Sequence, residues 1–151
     1  MLSRRQFLLA SAATVVAQRR LLAGVVHSAP SVVTVYKDPG CECCTKWMRH
    51  LSANGFVVMP RDVSNIEEIK RTMRVPKALE SCHTAVVDRY VVEGHVPASV
   101  LKKFLAEKPS SLGLAVPGMP MGAPGMEGNR VDHYDVIAFD QNGKQTVFAK
   151  R

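Results

Sequence analysis

The chain is 151 residues long and 46% apolar, the size of one ordinary domain with enough apolar material for a core. Its formal net charge is +7, but Arg4, Arg5, Arg19 and Arg20 all stand in the first 29 residues, which hold no acid, and without them the charge falls to +3. No basic face with interleaved aromatic residues follows, which argues against a nucleic-acid partner, and no run approaches the roughly 20 apolar residues of a membrane span, so none is expected in the mature chain.

The first segment reads as an export signal. Ser3-Arg4-Arg5-Gln6-Phe7-Leu8 is followed by the mild apolar stretch Leu9 to Ala17. A paired arginine followed by Phe-Leu is similar to the bacterial twin-arginine signal, whose cargo crosses already folded. A chance Arg-Arg in an ordinary Sec leader is the alternative. Val15-Val16-Ala17 and Val26-His27-Ser28 both offer small residues for cleavage, the second leaving the shorter tail. The expected division is a signal over 1–29 and one metal-binding domain over 30–151, placed in the periplasm.

Val32 to Tyr36 is rich in β-branched residues and predicts a strand. Asp38-Pro39-Gly40 is turn chemistry, Gly40-Cys41-Glu42-Cys43-Cys44 a loop, and Thr45 to Asn54 a helix with Trp47, Met48 and Leu51 on one side and Asn54-Gly55 as its stop. Phe56 to Met59 predicts a second strand. Ile66 to Met73 predicts a short helix capped by Ser64 or Asn65, with Ile66, Ile69 and Met73 inward. Thr84 to Val87 and Tyr90 to Val92 read as a hairpin, and Ala98 to Glu107 as a helix after Pro97. Between Ser110 and Asn129 Gly and Pro dominate, which predicts a long irregular loop. Tyr134 to Asp140 and Gln145 to Phe148 close the chain as a hairpin turning at Asn142-Gly143. This order predicts an α/β domain of the thioredoxin-like class, a central mixed sheet flanked by helices with a long Gly/Pro/Met-rich loop. In that class a cysteine loop after the first strand opens the first helix, whose N-terminus favours thiolates.

The chemistry centres on the cysteines. Cys41 and Cys44 have the Cys-x-x-Cys spacing of thiol–disulfide exchange, but Cys43 beside them offers a competing exit, so the trio fits a thiolate cluster better. Soft sulfur ligands suit Cu(I), Zn(II) or an iron–sulfur centre. Structural zinc usually takes two separated ligand pairs, and the fourth thiol, Cys82, lies too far along the chain for the usual iron–sulfur spacings. Copper gains support from Met119, Met121 and Met126, three thioethers within eight residues of the irregular loop. The plainer alternative is that these methionines plug a gap over the core. Cys82 enters the third strand and is placed beside the cysteine loop. An extended Cys82-His83 pair predicts side chains on opposite faces, with His83 a hydrogen-bonding residue rather than a ligand. His95 is a ligand candidate or a helix-cap group; His50 and His133 read as surface residues and Glu42 as solvated.

Several of these stretches together resemble the CopG-type copper-resistance family, long filed as a bacterial domain of unknown function. They are Gly40-Cys41-x-Cys43-Cys44, Trp47, Ser81-Cys82-His83-Thr84-Ala85, Glu93-Gly94-His95-Val96-Pro97-Ala98 and Gly113-Leu114-Ala115-Val116-Pro117-Gly118-Met119-Pro120. The resemblance runs over roughly residues 32 to 148. It implies a thioredoxin-like fold, a periplasmic setting, association with copper-resistance systems and copper held by Cys41, Cys43, Cys44 and Cys82. Met119, Met121, Met126 and His95 join as metal ligands on the reading of the residues. Asp88-Arg89 departs from the family, where a Gly-containing turn is usual, but lies at a hairpin tip.

The expected function is therefore a periplasmic protein that binds copper ions as Cu(I) and either stores them or acts as a copper oxidoreductase, alongside other periplasmic copper-handling proteins. The competing readings are a thiol–disulfide oxidoreductase using Cys41 and Cys44, and a zinc-stabilised structural module.

Overall fold

A computed structural model describes residues 29–151. In chain order these form β1 (Val32–Lys37), α1 (Glu42–Ala53), β2 (Val57–Asp62), α2 (Ile66–Thr72), a 3-10 turn (Lys77–Leu79), β3 (His83–Val87), β4 (Tyr90–Glu93), α3 (Ala98–Glu107), β5 (Gly113–Ala115), β6 (Asp135–Phe139) and β7 (Gln145–Lys150). All seven strands join one sheet in the order β2-β1-β3-β4-β5-β6-β7. β1 and β2 run parallel, as do β4 and β5, and every other neighbouring pair is antiparallel. The chain is thus an α/β domain built on a mixed sheet. Among the described residues no helix is long and apolar enough to cross a membrane. The export signal expected over residues 1–29 lies, save for Ala29, outside the described residues.

Alternation along the strands gives the sheet two buried faces. Val33, Val35, Ala85, Val87, Val92, Leu114 and Ala138 point to one side, where they pack with Trp47 and Leu51 of α1 and Leu101 and Phe104 of α3. Val91, Ala115 and Phe139 point to the other, against Val75 and Leu79 from the segment after α2. α1 and α3 therefore cover one face, and the shorter α2–turn segment helps cover the second.

Several sequence expectations change, and β2 runs to Asp62, three residues past the expected Met59. α1 starts at Glu42 rather than Thr45, because Cys41 takes the N-cap position and its carbonyl accepts the Thr45 N–H at 3.3 Å. Cysteine is not among the favoured N-cap residues, so the earlier start carried no signal. α2 is capped by Asn65, whose side chain accepts the Glu68 N–H at 3.2 Å, but Ile66, Ile69 and Met73 are only half-buried and the buried residue is Lys70. The region from Ser110 to Asn129 is not wholly irregular, since Gly113–Ala115 forms β5. Three residues are too few to show a period of two, and Gly113 is required there because a Cβ would run into the Val91 carbonyl. β7 extends to Lys150, two residues past the expected end.

Candidate metal centre

The sheet register brings the two cysteine segments together. Lys37 at the end of β1 pairs with His83 at the start of β3, so the loop leaving β1 and the bend entering β3 lie side by side. The loop is fixed by side chains and backbone of its own neighbourhood. Asp38 Oδ1 accepts the Gly40 N–H at 2.8 Å, the Asp38 carbonyl accepts the Cys41 N–H at 3.1 Å, and Lys37 Nζ donates to the Asp38 and Pro39 carbonyls at 3.1 and 3.3 Å. Cys43 and Cys44 then occupy the first turn of α1, where unpaired N–H groups and the positive dipole end favour negative sulfur.

All four sulfurs converge to within 4.8 Å of one another. Cys43 Sγ lies 3.6 Å from Cys41 Sγ and 3.8 Å from Cys82 Sγ, and Cys44 Sγ lies 3.6 Å from Cys82 Sγ. Cys41 and Cys44 are joined in a disulfide with their Cα atoms 5.3 Å apart, and Cys43 and Cys82 are free, half-buried thiols. The site therefore holds a two-electron redox pair and, on reduction, offers four soft donors that one ion or several bridged ions can share. That donor chemistry fits copper.

Cys82 also meets two imidazoles, its Sγ 3.3 Å from His83 Nδ1 and 3.0 Å from His95 Nε2. The expected divergence of Cys82 and His83 is corrected. Cys82 sits in a bend just before β3, so the two residues do not alternate as strand neighbours. His83 packs in tilted contact with Trp47, at a centroid distance of 4.3 Å, and with His95, at 5.1 Å. Trp47 is pinned in turn by its Nε1–H donated to the Val96 carbonyl at 2.9 Å. Both imidazoles are fully buried, and His83 Nε2 and His95 Nδ1 have no hydrogen-bond partner among the described residues.

Burial sets the charge of this corner. It pushes the Cys82 thiol up to about 12, helped by the neighbouring Cys43, so Cys82 carries its proton at neutral pH. It pulls His95 down to about 4, against weaker opposing pulls from the Pro124 backbone and Glu127, and His83 well below its usual value, with His95 and Lys70 adding to the effect. Both rings are therefore neutral and able to offer lone pairs at neutral pH.

The methionine loop packs over the site. At Gly125, with φ +88°, a Cβ would lie 2.7 Å from the Cys43 carbonyl oxygen and 2.9 Å from the Trp47 nitrogen, so only glycine lets the loop approach the first turn of α1 this closely. Glu127 ties the loop to itself by accepting the Gly125 N–H at 2.7 Å. Met126 and Met121 are half-buried, whereas Met119 is 54% exposed. Glu42 and His133 are exposed, as expected. His50 is not a surface residue: it is half-buried and its Nε2 accepts the Ala98 N–H at 3.1 Å, anchoring the start of α3.

The family described as "Protein of unknown function, DUF411" matches residues 79–126, the stretch holding Cys82, His83, His95 and the methionine loop. No curated protein is significantly similar to the chain. Two solved structures, named "Copper resistance protein copG- Form 2" and "Copper resistance protein copG- Form 1", each share 43% identity with it, with TM-scores of 0.77 and 0.76. Each match covers 81% of this chain and 98% of the solved one.

Proposed function

Because the chain belongs to the CopG-type copper-resistance family, we propose that it is a periplasmic copper-binding protein that holds Cu(I) in its cysteine-thiolate site as part of copper resistance. The observation that carries this reading is the convergence of four sulfurs from two segments of the chain to within 4.8 Å. Thiolates are the soft donors Cu(I) prefers. His95 Nε2, already 3.0 Å from Cys82 Sγ, is the nearest nitrogen donor to add, and the Met119, Met121 and Met126 thioethers are the further soft donors of the loop above. Delivery by a twin-arginine signal, with the site folded before export, belongs to the same proposal. So does assignment of the sheet to the thioredoxin-like class, which the parallel β1–α1–β2 unit with its cysteine-led helix supports.

The Cys41–Cys44 pair adds a redox step to this reading. Two thiols oxidised to the disulfide give up two electrons and two protons, and two Cu(II) ions take the electrons to become two Cu(I). The adjacent free thiols Cys43 and Cys82 are placed to retain the Cu(I) so formed. The same disulfide at a helix N-terminus favours a second reading, thiol–disulfide exchange with other proteins.

The two are separated by titrating the reduced protein with Cu(I) against a competing chelator under anaerobic conditions, and by assaying metal-free protein for insulin reduction. Tight copper binding with no insulin reduction supports the copper reading. Rapid insulin reduction with weak copper binding sinks it in favour of exchange.

A further inference from the structure

Behind the site, on the opposite face of the sheet from Trp47 and His83, lies a buried ionic network. Lys70 of α2 and Glu93 at the end of β4 form an ion pair at 2.5 Å with side chains 2% and 0% exposed. The Glu93 carboxylate accepts three hydrogen bonds: Oε1 takes Lys70 Nζ at 2.5 Å and the Ser81 N–H at 2.6 Å, and Oε2 takes the Thr84 hydroxyl at 2.6 Å. Lys70 Nζ also donates to Thr84 Oγ1 at 3.1 Å.

The partners are informative by their places in the chain. Ser81 and Thr84 flank Cys82-His83, and Glu93 stands two residues before His95. One carboxylate thus grips both strands that carry the buried half of the site. Its own carbonyl accepts the Val116 N–H at 3.0 Å, where the chain leaves β5 for the methionine loop. Gly94, at φ +69°, closes the arrangement, since a Cβ there would lie 2.6 Å from the Val116 carbonyl oxygen and 2.7 Å from Ser81 Cβ. Stability alone does not account for such a pair. Burying two charges costs several kcal/mol of solvation, and apolar replacements of similar volume are often as stable or more so. A network that fixes the bend at Cys82 against the turn at His95 does have a use, because ligand affinity depends on groups that hold the ligands in place.

We propose that Glu93, with Lys70 and Thr84, is a positioning residue for copper, holding Cys82 and His95 at the mutual geometry the metal requires. This rests on the copper reading given above. Two variants break the network, Thr84→Val, which removes a single hydroxyl, and Lys70→Met/Glu93→Gln, which removes both charges together; Thr84→Ser keeps the hydroxyl. For each, Cu(I) affinity is measured by anaerobic competition, and the rate of Cys82 alkylation is followed by peptide mass spectrometry in reduced, metal-free protein. Thr84→Val and the double variant retain cooperative unfolding, bind Cu(I) about 10- to 100-fold more weakly and alkylate faster at Cys82, while Thr84→Ser restores wild-type values of both. A folded Thr84→Val protein with wild-type affinity and alkylation rate overturns the proposal. So does loss of cooperative folding in both Thr84→Val and the double variant, since the network then serves the fold as a whole. Failure of the wild-type protein to bind Cu(I) removes the copper reading instead, and the alkylation rates then decide the positioning role alone.

Discussion

The two halves of the site are built by different physics. Cys41, Cys43 and Cys44 come from one turn of chain at the start of α1, the first two partly open to solvent and Cys44 buried, and Cys41 and Cys44 are joined as a disulfide. Cys82, His83 and His95 come from strand ends 13 residues apart and sit where burial keeps the thiol protonated and the imidazoles neutral. The first half carries the disulfide and a free thiol, and the second gathers one sulfur with two imidazole nitrogens. Cys82 joins them, within 3.8 Å of Cys43 and Cys44 and within 3.3 Å of both histidines.

That division is broken most severely at Cys82. Cys82→Ser removes the sulfur shared by both halves and lowers Cu(I) affinity by more than the roughly 10- to 100-fold that loss of a supporting hydrogen-bond partner costs. Cys41→Ser leaves Cys82, His83 and His95 in place and has the smaller effect. Anaerobic competition titrations rank the two, and the reverse order contradicts the division. Next comes Trp47, fully buried, bonded to the Val96 carbonyl and packed against the His83 ring. Trp47→Ala costs about 3–5 kcal/mol of stability by cavity formation, read by chemical denaturation, and disorders the buried half more than the helix turn.

Acid sharpens the contrast more gently. An unfolded histidine titrates near 6.5, whereas burial holds His95 in the fold at about 4 and His83 well below its usual value. Between those values the unfolded chain binds more protons, so this contribution to stability is complete above about pH 6.5 and is lost as pH falls toward 4. Thermal melts of metal-free protein across that range show the decline, and His95→Gln flattens it. The smallest effect belongs to Met119, which is 54% exposed. Met119→Ser leaves stability within about 0.5 kcal/mol, so weaker Cu(I) retention in that variant isolates its thioether from any packing role.

The same contrast explains what the sequence made legible. The helix-borne half was written locally: three cysteines in four positions between a strand and a helix, with only the start of α1 misjudged because Cys41 is an unusual cap. Cys82 beside that loop followed from strand order. The rest depends on geometry that no short window contains. A bend, not a strand, holds Cys82, so His83 turns toward the sulfur instead of away. Lys70 lies on a helix whose isoleucines marked the apolar face, yet it is the lysine that is buried, and only its partner 23 residues away shows why. β5 was hidden in the Gly/Pro-rich region because three residues held by neighbours on both sides need no propensity of their own.

On the proposed function, copper in this chain is held by sulfur from both halves. Copper K-edge X-ray absorption of the reduced, Cu(I)-loaded protein tests it most directly. A first coordination shell dominated by sulfur, and depleted of sulfur in Cys82→Ser, is the predicted result; a shell of nitrogen and oxygen scatterers that Cys82→Ser leaves unchanged contradicts the account.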